Sequence, residues 1–215
     1  MYERSGDGWR VSADTHEQVL LALYFRDLAG IPHADQPMLC PLSPPVRPVA
    51  APEVPRHGAA ELRQEWQQWW RRLLRHDLQE HDGGPAGHPR PGLDALLDPP
   101  RFPAFDDSPT LQRLMRAHYG AAFSWVEARL LEYGEVSREH TASGRRAALE
   151  RLVQDRELES DLPAASISLN LVELPLAEPR AWFVEPRTVI MSQELPRHEE
   201  LFRSYLQPIV GMLQP

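Results

Sequence analysis

Lysine is absent from the sequence, so apart from histidine every basic side chain is an arginine. The chain also has one cysteine, Cys40, and one asparagine, Asn170. A single cysteine cannot form an internal disulfide, and it excludes a zinc site built from several thiolates. The missing lysine indicates a coding bias, so runs such as RRLLR and SGRR are interpreted as ordinary charge on helix surfaces.

Long apolar runs are also absent, and no segment approaches the roughly 20 residues that a membrane-spanning helix needs. The first ten residues, MYERSGDGWR, are polar and lack the apolar centre of a secretory signal. The net charge of −8 repels phosphate backbones and anionic lipid surfaces. Together these features predict a cytoplasmic protein that binds neither nucleic acid nor membranes.

Proline, in contrast, is abundant, with 22 residues in the chain. Many of them fall between residues 32 and 57, where neither a helix nor a central strand can persist. We interpret this tract as a connector or a strap laid over the domain. The alternative is a proline-rich ligand of the kind that aromatic grooves bind.

The rest of the chain shows five helical patterns. The first is expected to begin with a cap at Asp14 and to end at Gly30. The third is expected to begin at Ser108 and Pro109 and to stop at Gly134. The second pattern covers about residues 59–81, the fourth includes GRRAALERLVQDRELE, and the last is HEELFRSYLQPIVGMLQ.

Three short runs near the C-terminus, ISLNLVEL, AWFV and TVIMS, have the alternation of strands. Turn residues between them predict an antiparallel meander, with Val184 opposite both Leu171 and Val189. The order of elements indicates a single α+β domain over residues 1–215. In it, a helical N-terminal part packs on a small three-stranded antiparallel meander, and a C-terminal helix closes the fold.

One face of the predicted meander is half apolar, with Val172, Phe183 and Ile190 adjacent across the strands. A face in contact with solvent is expected to be more polar, so either another segment covers this one or a partner binds it. The leading hypothesis is a non-catalytic interaction or adaptor protein, in a homodimer or with a protein partner. It would use this face or the proline-rich tract and need no cofactor.

The second helix contains EWQQWWRRLLRHDLQEHD, whose tryptophans Trp66, Trp69 and Trp70 share an arc of about 100° with neighbouring leucines. Such an arc is typical of a helix face in the core. A weaker alternative is a small-molecule sensor with a tryptophan-lined pocket.

The same helix continues into alternating histidines and acids. His76 and Glu80 lie one turn apart, and His118 of the third helix is the candidate third ligand. Imidazole and carboxylate groups bind divalent transition metals, so the second hypothesis is a metal-dependent hydrolase. The sequence contains no HExxH, GxSxG, P-loop or GxGxxG motif, and we assign no catalytic residue.

Overall fold

The structure is a computed structural model that describes residues 2–4, 10–31, 37–49, 58–77, 97–160, 168–184 and 186–212. Its residues group into two compact units. We call His16–Arg129 the helical unit, and Met1–Thr15 with Leu130–Pro215 the sheet unit. The single domain over residues 1–215 stays a prediction.

The helical unit is built around α1 (Glu17–Leu28), which is buried on almost all sides. A helix with so wide an apolar face needs neighbours on more than one side. The other elements of the unit are α2 (Ala59–Arg72), a π-helical turn (Leu73–Asp77), a 3-10 turn (Pro103–Phe105) and the first part of α3 (Pro109–Ala142).

The predicted cap of α1 at Asp14 does not form. The N-cap residue is His16, and the carboxylate of Asp14 instead accepts a hydrogen bond from the Thr15 amide at 2.8 Å. Asp14 is the last residue of a strand, so its position is set by the sheet. The other end agrees with the prediction, because α1 stops at Leu28 and Gly30 adopts a φ of +62°.

Helix α3 begins at Pro109, as expected, but it continues through Gly134 to Ala142. A glycine inside a helix costs only about 1 kcal/mol relative to alanine, which packing readily offsets. Tyr133 and His140, two turns apart on one face, are both buried and supply such packing. At the start of α3, the carboxylate of Glu65 in α2 accepts a hydrogen bond from the Leu111 amide at 2.7 Å.

The sheet unit contains a mixed sheet with the strand order β1-β2-β3-β5-β4. Its four-stranded core has β2, β3 and β5 parallel and β4 antiparallel to β5, and the short β1 adds an antiparallel strand beside β2. The strands are β1 (Tyr2–Arg4), β2 (Arg10–Asp14), β3 (Ser168–Leu174), β4 (Ala181–Val184) and β5 (Thr188–Ser192). The remaining elements are the last part of α3, α4 (Arg145–Ser160), a 3-10 turn (Leu195–Arg197) and α5 (Glu199–Met212).

The predicted antiparallel meander is wrong, although its three strands are present. Strand β5 lies between β3 and β4, so Leu171 pairs with Val189, and Val189 pairs with Phe183 instead of Val184. Residues 169–174 are all buried, which is typical of a central strand with parallel neighbours. The apolar character of both faces of β3 is therefore explained by its central position.

One sheet face packs against α4 and α5. The sheet contributes Leu169, Leu171, Val189 and Met191 to this core, and the helices contribute Leu149, Leu152, Val153, Phe202, Leu206, Ile209 and Val210. The α+β class and the closing C-terminal helix are thus confirmed. None of the described helices combines the length and apolarity needed to cross a bilayer.

Candidate functional site

Residues 37–49 are the described part of the predicted tract 32–57, whose other residues lie outside the described ranges, and we call this part the proline strap. Two consecutive charged residues bind it to α1. The guanidinium of Arg26 donates to the carbonyl oxygens of Leu39 and Cys40, each at 3.0 Å. The carboxylate of Asp27 accepts a hydrogen bond from the Leu42 amide at 2.8 Å. These bonds fix the backbone of the strap without using any of its proline side chains.

Arg26 itself is 1% exposed, which is unusual for a charged side chain. Its Nε donates to Asp27 Oδ1 at 2.7 Å, so the buried charge has an adjacent counter-charge. The fork of the guanidinium then bonds two backbone carbonyls, a geometry that lysine cannot reproduce. Arg26 and Asp27 therefore hold the backbone of residues 39–42 against α1.

Two side chains of the strap are buried, and most of the others are exposed. Leu39 and Leu42 are buried and anchor it to the helical unit. The outward side chains are those of Pro41, Ser43, Pro44, Pro45, Arg47 and Pro48, all of them exposed. The strap therefore presents an apolar, proline-bearing surface on a backbone whose conformation is already fixed.

A second buried cluster lies in the sheet unit and joins the end of α3, the start of α4 and β3. Arg145 Nη1 donates to Glu173 Oε1 at 2.6 Å, and His140 Nδ1 lies 3.3 Å from Glu173 Oε2. The same Nη1 lies 3.3 Å from His140 Nδ1. Glu173 is completely buried, and the other two side chains are nearly so.

The charges of this cluster determine its protonation. Burial alone would raise the pKa of Glu173, but the hydrogen bond from His140 and the charge of Arg145 outweigh it and hold the pKa below its ordinary value. Burial and the neighbouring Glu173 carboxylate raise the pKa of Tyr133 far above its ordinary range. Glu173 is therefore ionised and Tyr133 neutral at physiological pH.

A carboxylate that orients an imidazole is also an arrangement found in general-base catalysis. Here His140 is only 1% exposed, and its Nε2 has no hydrogen-bond partner among the described residues. A substrate cannot reach an imidazole buried to this extent. We interpret the cluster as a buried set of hydrogen bonds and ion pairs that holds the α3–α4 turn against β3.

Sequence reasoning missed both arginine clusters. Arg145 belongs to the SGRR run, which was interpreted as surface charge, and that interpretation is wrong for this residue. The partners His140 and Glu173 are separated by 33 positions and share no motif. The one available signal was Glu173 itself, a glutamate among the apolar residues of β3. That signal does not identify its partners.

Only two of the three residues of the predicted interaction surface lie on the same face of the sheet. Val172 pairs with Ile190 across two parallel strands, and both side chains are completely buried. Phe183 lies on the opposite face, partly buried against the core beneath α4 and α5. A shift of one residue in the register of β4 moves its side chains to the other face, which explains the error.

The predicted metal ligands are not tested, because the side chain of His76 and all of Glu80 lie outside the described residues. His118 is partly exposed on α3. Among the residues with described side chains, no group of three or more histidines, cysteines, aspartates or glutamates is placed to hold a metal ion. The metal-dependent hydrolase with His76, Glu80 and His118 stays a prediction.

The three tryptophans of α2 are core residues. Trp66 stacks on Trp70 with ring centroids 5.5 Å apart, and its indole nitrogen donates to Ala22 O at 2.7 Å. Trp69 meets Phe105 edge to face at 5.1 Å. The rings contact one another and neighbouring protein groups, and ligand binding by them stays a prediction.

Comparison of the chain with protein-family models, curated proteins and solved structures finds no significant match.

Proposed function

We propose that the chain is a non-catalytic interaction module that binds a protein partner through the proline strap. The observation that carries the proposal is the anchoring of the strap by Arg26 and Asp27 while Pro41, Pro44 and Pro45 remain exposed. A segment held in one conformation loses less entropy on binding than a free one, so its contacts convert more fully into affinity. The cytoplasmic location and the absence of a cofactor belong to this proposal.

The partner that fits this surface has a groove lined by aromatic side chains. Proline presents a rigid apolar ring, and such grooves bind proline-rich segments by packing against these rings. The strap is favoured over the half-apolar sheet face because Val172 and Ile190 are buried. The exposed side chains of the strap need no rearrangement of the fold before they bind.

The test is titration of the full chain with isolated SH3, WW and EVH1 domains, with heat release as the measured signal. We expect at least one class to bind with micromolar affinity. The double substitution Pro44→Ala and Pro45→Ala should weaken that binding by about tenfold or more, which corresponds to about 1.4 kcal/mol.

The matched control is Pro103→Ala with Pro109→Ala, two exposed prolines of the helical unit outside the strap. This control variant should bind the same domain with the affinity of the unaltered chain. Circular dichroism should show that both double variants are folded. Binding by none of the three classes would contradict the proposal, as would equal affinity of the strap double and the unaltered chain.

A further inference from the structure

The proline strap is fixed to α1 at a second point. The Val49 amide donates to the carbonyl oxygen of Leu28 at 2.8 Å, one position along α1 from Asp27, which binds Leu42. Residues 43–48 therefore form a loop whose two ends are both hydrogen-bonded to the helix. A loop fixed in this way has less conformational entropy left to lose when a partner binds it.

The exposed side chains of this loop lie on both sides of Val46 in the sequence. Val46 is half-buried, whereas Pro44 and Pro45 before it and Arg47 after it are exposed. Arg47 lies two residues from Pro45 and two residues from the anchored Val49, so its backbone is held close to a fixed point. The loop therefore presents proline rings and one guanidinium within a short stretch of chain.

Arg47 is the only charged residue among residues 37–49. The residues that anchor the strap add no net charge to it, because Arg26 is paired with Asp27. Within the part of the chain that the structure describes, the Arg47 guanidinium has no hydrogen-bond acceptor and no counter-ion. Its donors are therefore available to a partner, and they give the strap a single positive charge.

The charge of the whole chain restricts which anion this arginine can bind. With a net charge of −8, the chain repels polyanions such as nucleic acid and anionic membranes. A single carboxylate on a protein interacts mainly within the Debye length of about 10 Å, so the charge nearest to it dominates. The fork of a guanidinium also fits a carboxylate through two parallel hydrogen bonds. These properties favour one carboxylate on a protein surface as the group that meets Arg47.

We propose that the aromatic groove of the partner has a carboxylate at one end, which pairs with Arg47 while the rings of the groove pack on Pro44 and Pro45. This inference rests on the proposed function of the strap and adds the charge of the partner to it. The only charge of the strap follows the two prolines in the chain, so the ion pair also fixes the direction in which the groove binds the strap. A carboxylate at the opposite end of the groove would leave Arg47 unpaired.

The test is a double-mutant cycle between Arg47 and the groove, measured by titration with heat release as the signal. The probes are SH3, WW and EVH1 domains that have a carboxylate beside the groove, and the same domains with that carboxylate changed to an amide. Arg47→Gln should raise the dissociation constant for an acidic domain that binds the strap by about fivefold, as expected for an ion pair at the rim of an interface. For the amide form of that domain, the same substitution should change the constant by less than about twofold.

Salt concentration gives a second readout of the same ion pair. At about 1 M salt the Debye length falls to about 3 Å, so the difference in affinity between the unaltered chain and Arg47→Gln should largely disappear. The matched control is Arg71→Gln, which removes the same charge from an exposed position of α2 outside the strap. This control should bind both forms of the domain with the affinity of the unaltered chain, and circular dichroism should show that both variants are folded.

The outcomes separate this inference from the function on which it rests. If Pro44→Ala with Pro45→Ala weakens binding but Arg47→Gln does not, the strap binds through its prolines alone, and the inference is overturned while the proposed function stands. Equal weakening by Arg47→Gln on the acidic and amide forms would show that the guanidinium packs on the aromatic rings, which also overturns the inference. Binding by none of the domains would contradict the proposed function, and the inference would fall with it.

Discussion

Among the side chains that the structure describes, each unit has one buried arginine, and the two arginines differ in what they bind. Arg26 in the helical unit pairs with its sequence neighbour Asp27 and donates to two carbonyl oxygens of the strap. Arg145 in the sheet unit pairs with Glu173, 28 positions away on the central strand. The first arrangement fixes a surface segment, and the second fixes the long-range packing of helices on the sheet.

The comparison shows that the location of the counter-charge decides what a buried arginine stabilises. Asp27 is 9% exposed and can regain water if its partner is lost, whereas Glu173 is completely buried. A buried carboxylate without its counter-charge is far more costly than one at the surface. Loss of Arg145 should therefore affect global stability, and loss of Arg26 should act mainly on the strap.

The largest effect is expected from Arg145→Met, which keeps much of the apolar volume and removes the charge. It leaves the Glu173 carboxylate buried beside a single imidazole, so the free energy of unfolding should fall by about 3–5 kcal/mol. Chemical denaturation measures this change. Arg151→Met, which breaks an exposed pair with Glu199, is the control and should cost about 1 kcal/mol or less.

Adding Glu173→Gln to Arg145→Met sharpens the test. The double variant has no buried charge in this pair, so it should recover a substantial part of the lost stability. If the double variant is as unstable as Arg145→Met alone, the loss of stability comes from lost packing and not from the unpaired buried carboxylate.

The second expected effect is a loss of stability at acidic pH, which arises from Glu173 in the sheet unit. The pKa of Glu173 is lowered in the folded chain, so below the ordinary value of 4.5 the unfolded chain binds a proton first. The stabilisation is complete above that value and is lost as pH falls toward the lower folded pKa. Unfolding measured between about pH 7 and pH 3 should show a steeper acid loss for the unaltered chain than for Glu173→Gln. Parallel curves would contradict the lowered pKa.

Much of the fold was predictable because its signals are local. The spacing of apolar residues predicts α1 and α4, and the proline at its start predicts α3. The alternation of apolar and polar residues predicts β4 and β5. Strand pairing was not predictable in this way. The connection between β3 and β4 was treated as a simple reversal, but it places β4 two positions away in the sheet, and β5 then pairs between them. The burial of β3 on both faces, visible as Val172 and Leu174 on its supposedly outer side, was the signal against a meander.

The candidate sites were less predictable than the fold. An arginine on an apolar helix face looks the same in sequence whether its guanidinium reaches solvent or a buried carbonyl. Arg26 is buried because residues 39 and 40 pack against α1, and Arg145 is buried because the strand that carries Glu173 lies beside it. These contacts join segments that no spacing rule connects, so side-chain chemistry alone could not identify them.

The smallest of these effects is expected from Arg26→Met, because Asp27 and the Cys40 carbonyl, two of the three groups it leaves, are only partly buried. Removing the donors to Leu39 and Cys40 should lower the free energy of unfolding by about 1–3 kcal/mol. The clearer readout is local, since the amide of Leu42, which donates to Asp27, should exchange with solvent much faster while the amides of β3 and β5 keep their protection. Arg71→Met, at an exposed position of α2, should alter neither measurement. If exchange instead rose equally in the strap and the sheet, Arg26 would stabilise the whole chain, and the contrast between the two arginines would be lost.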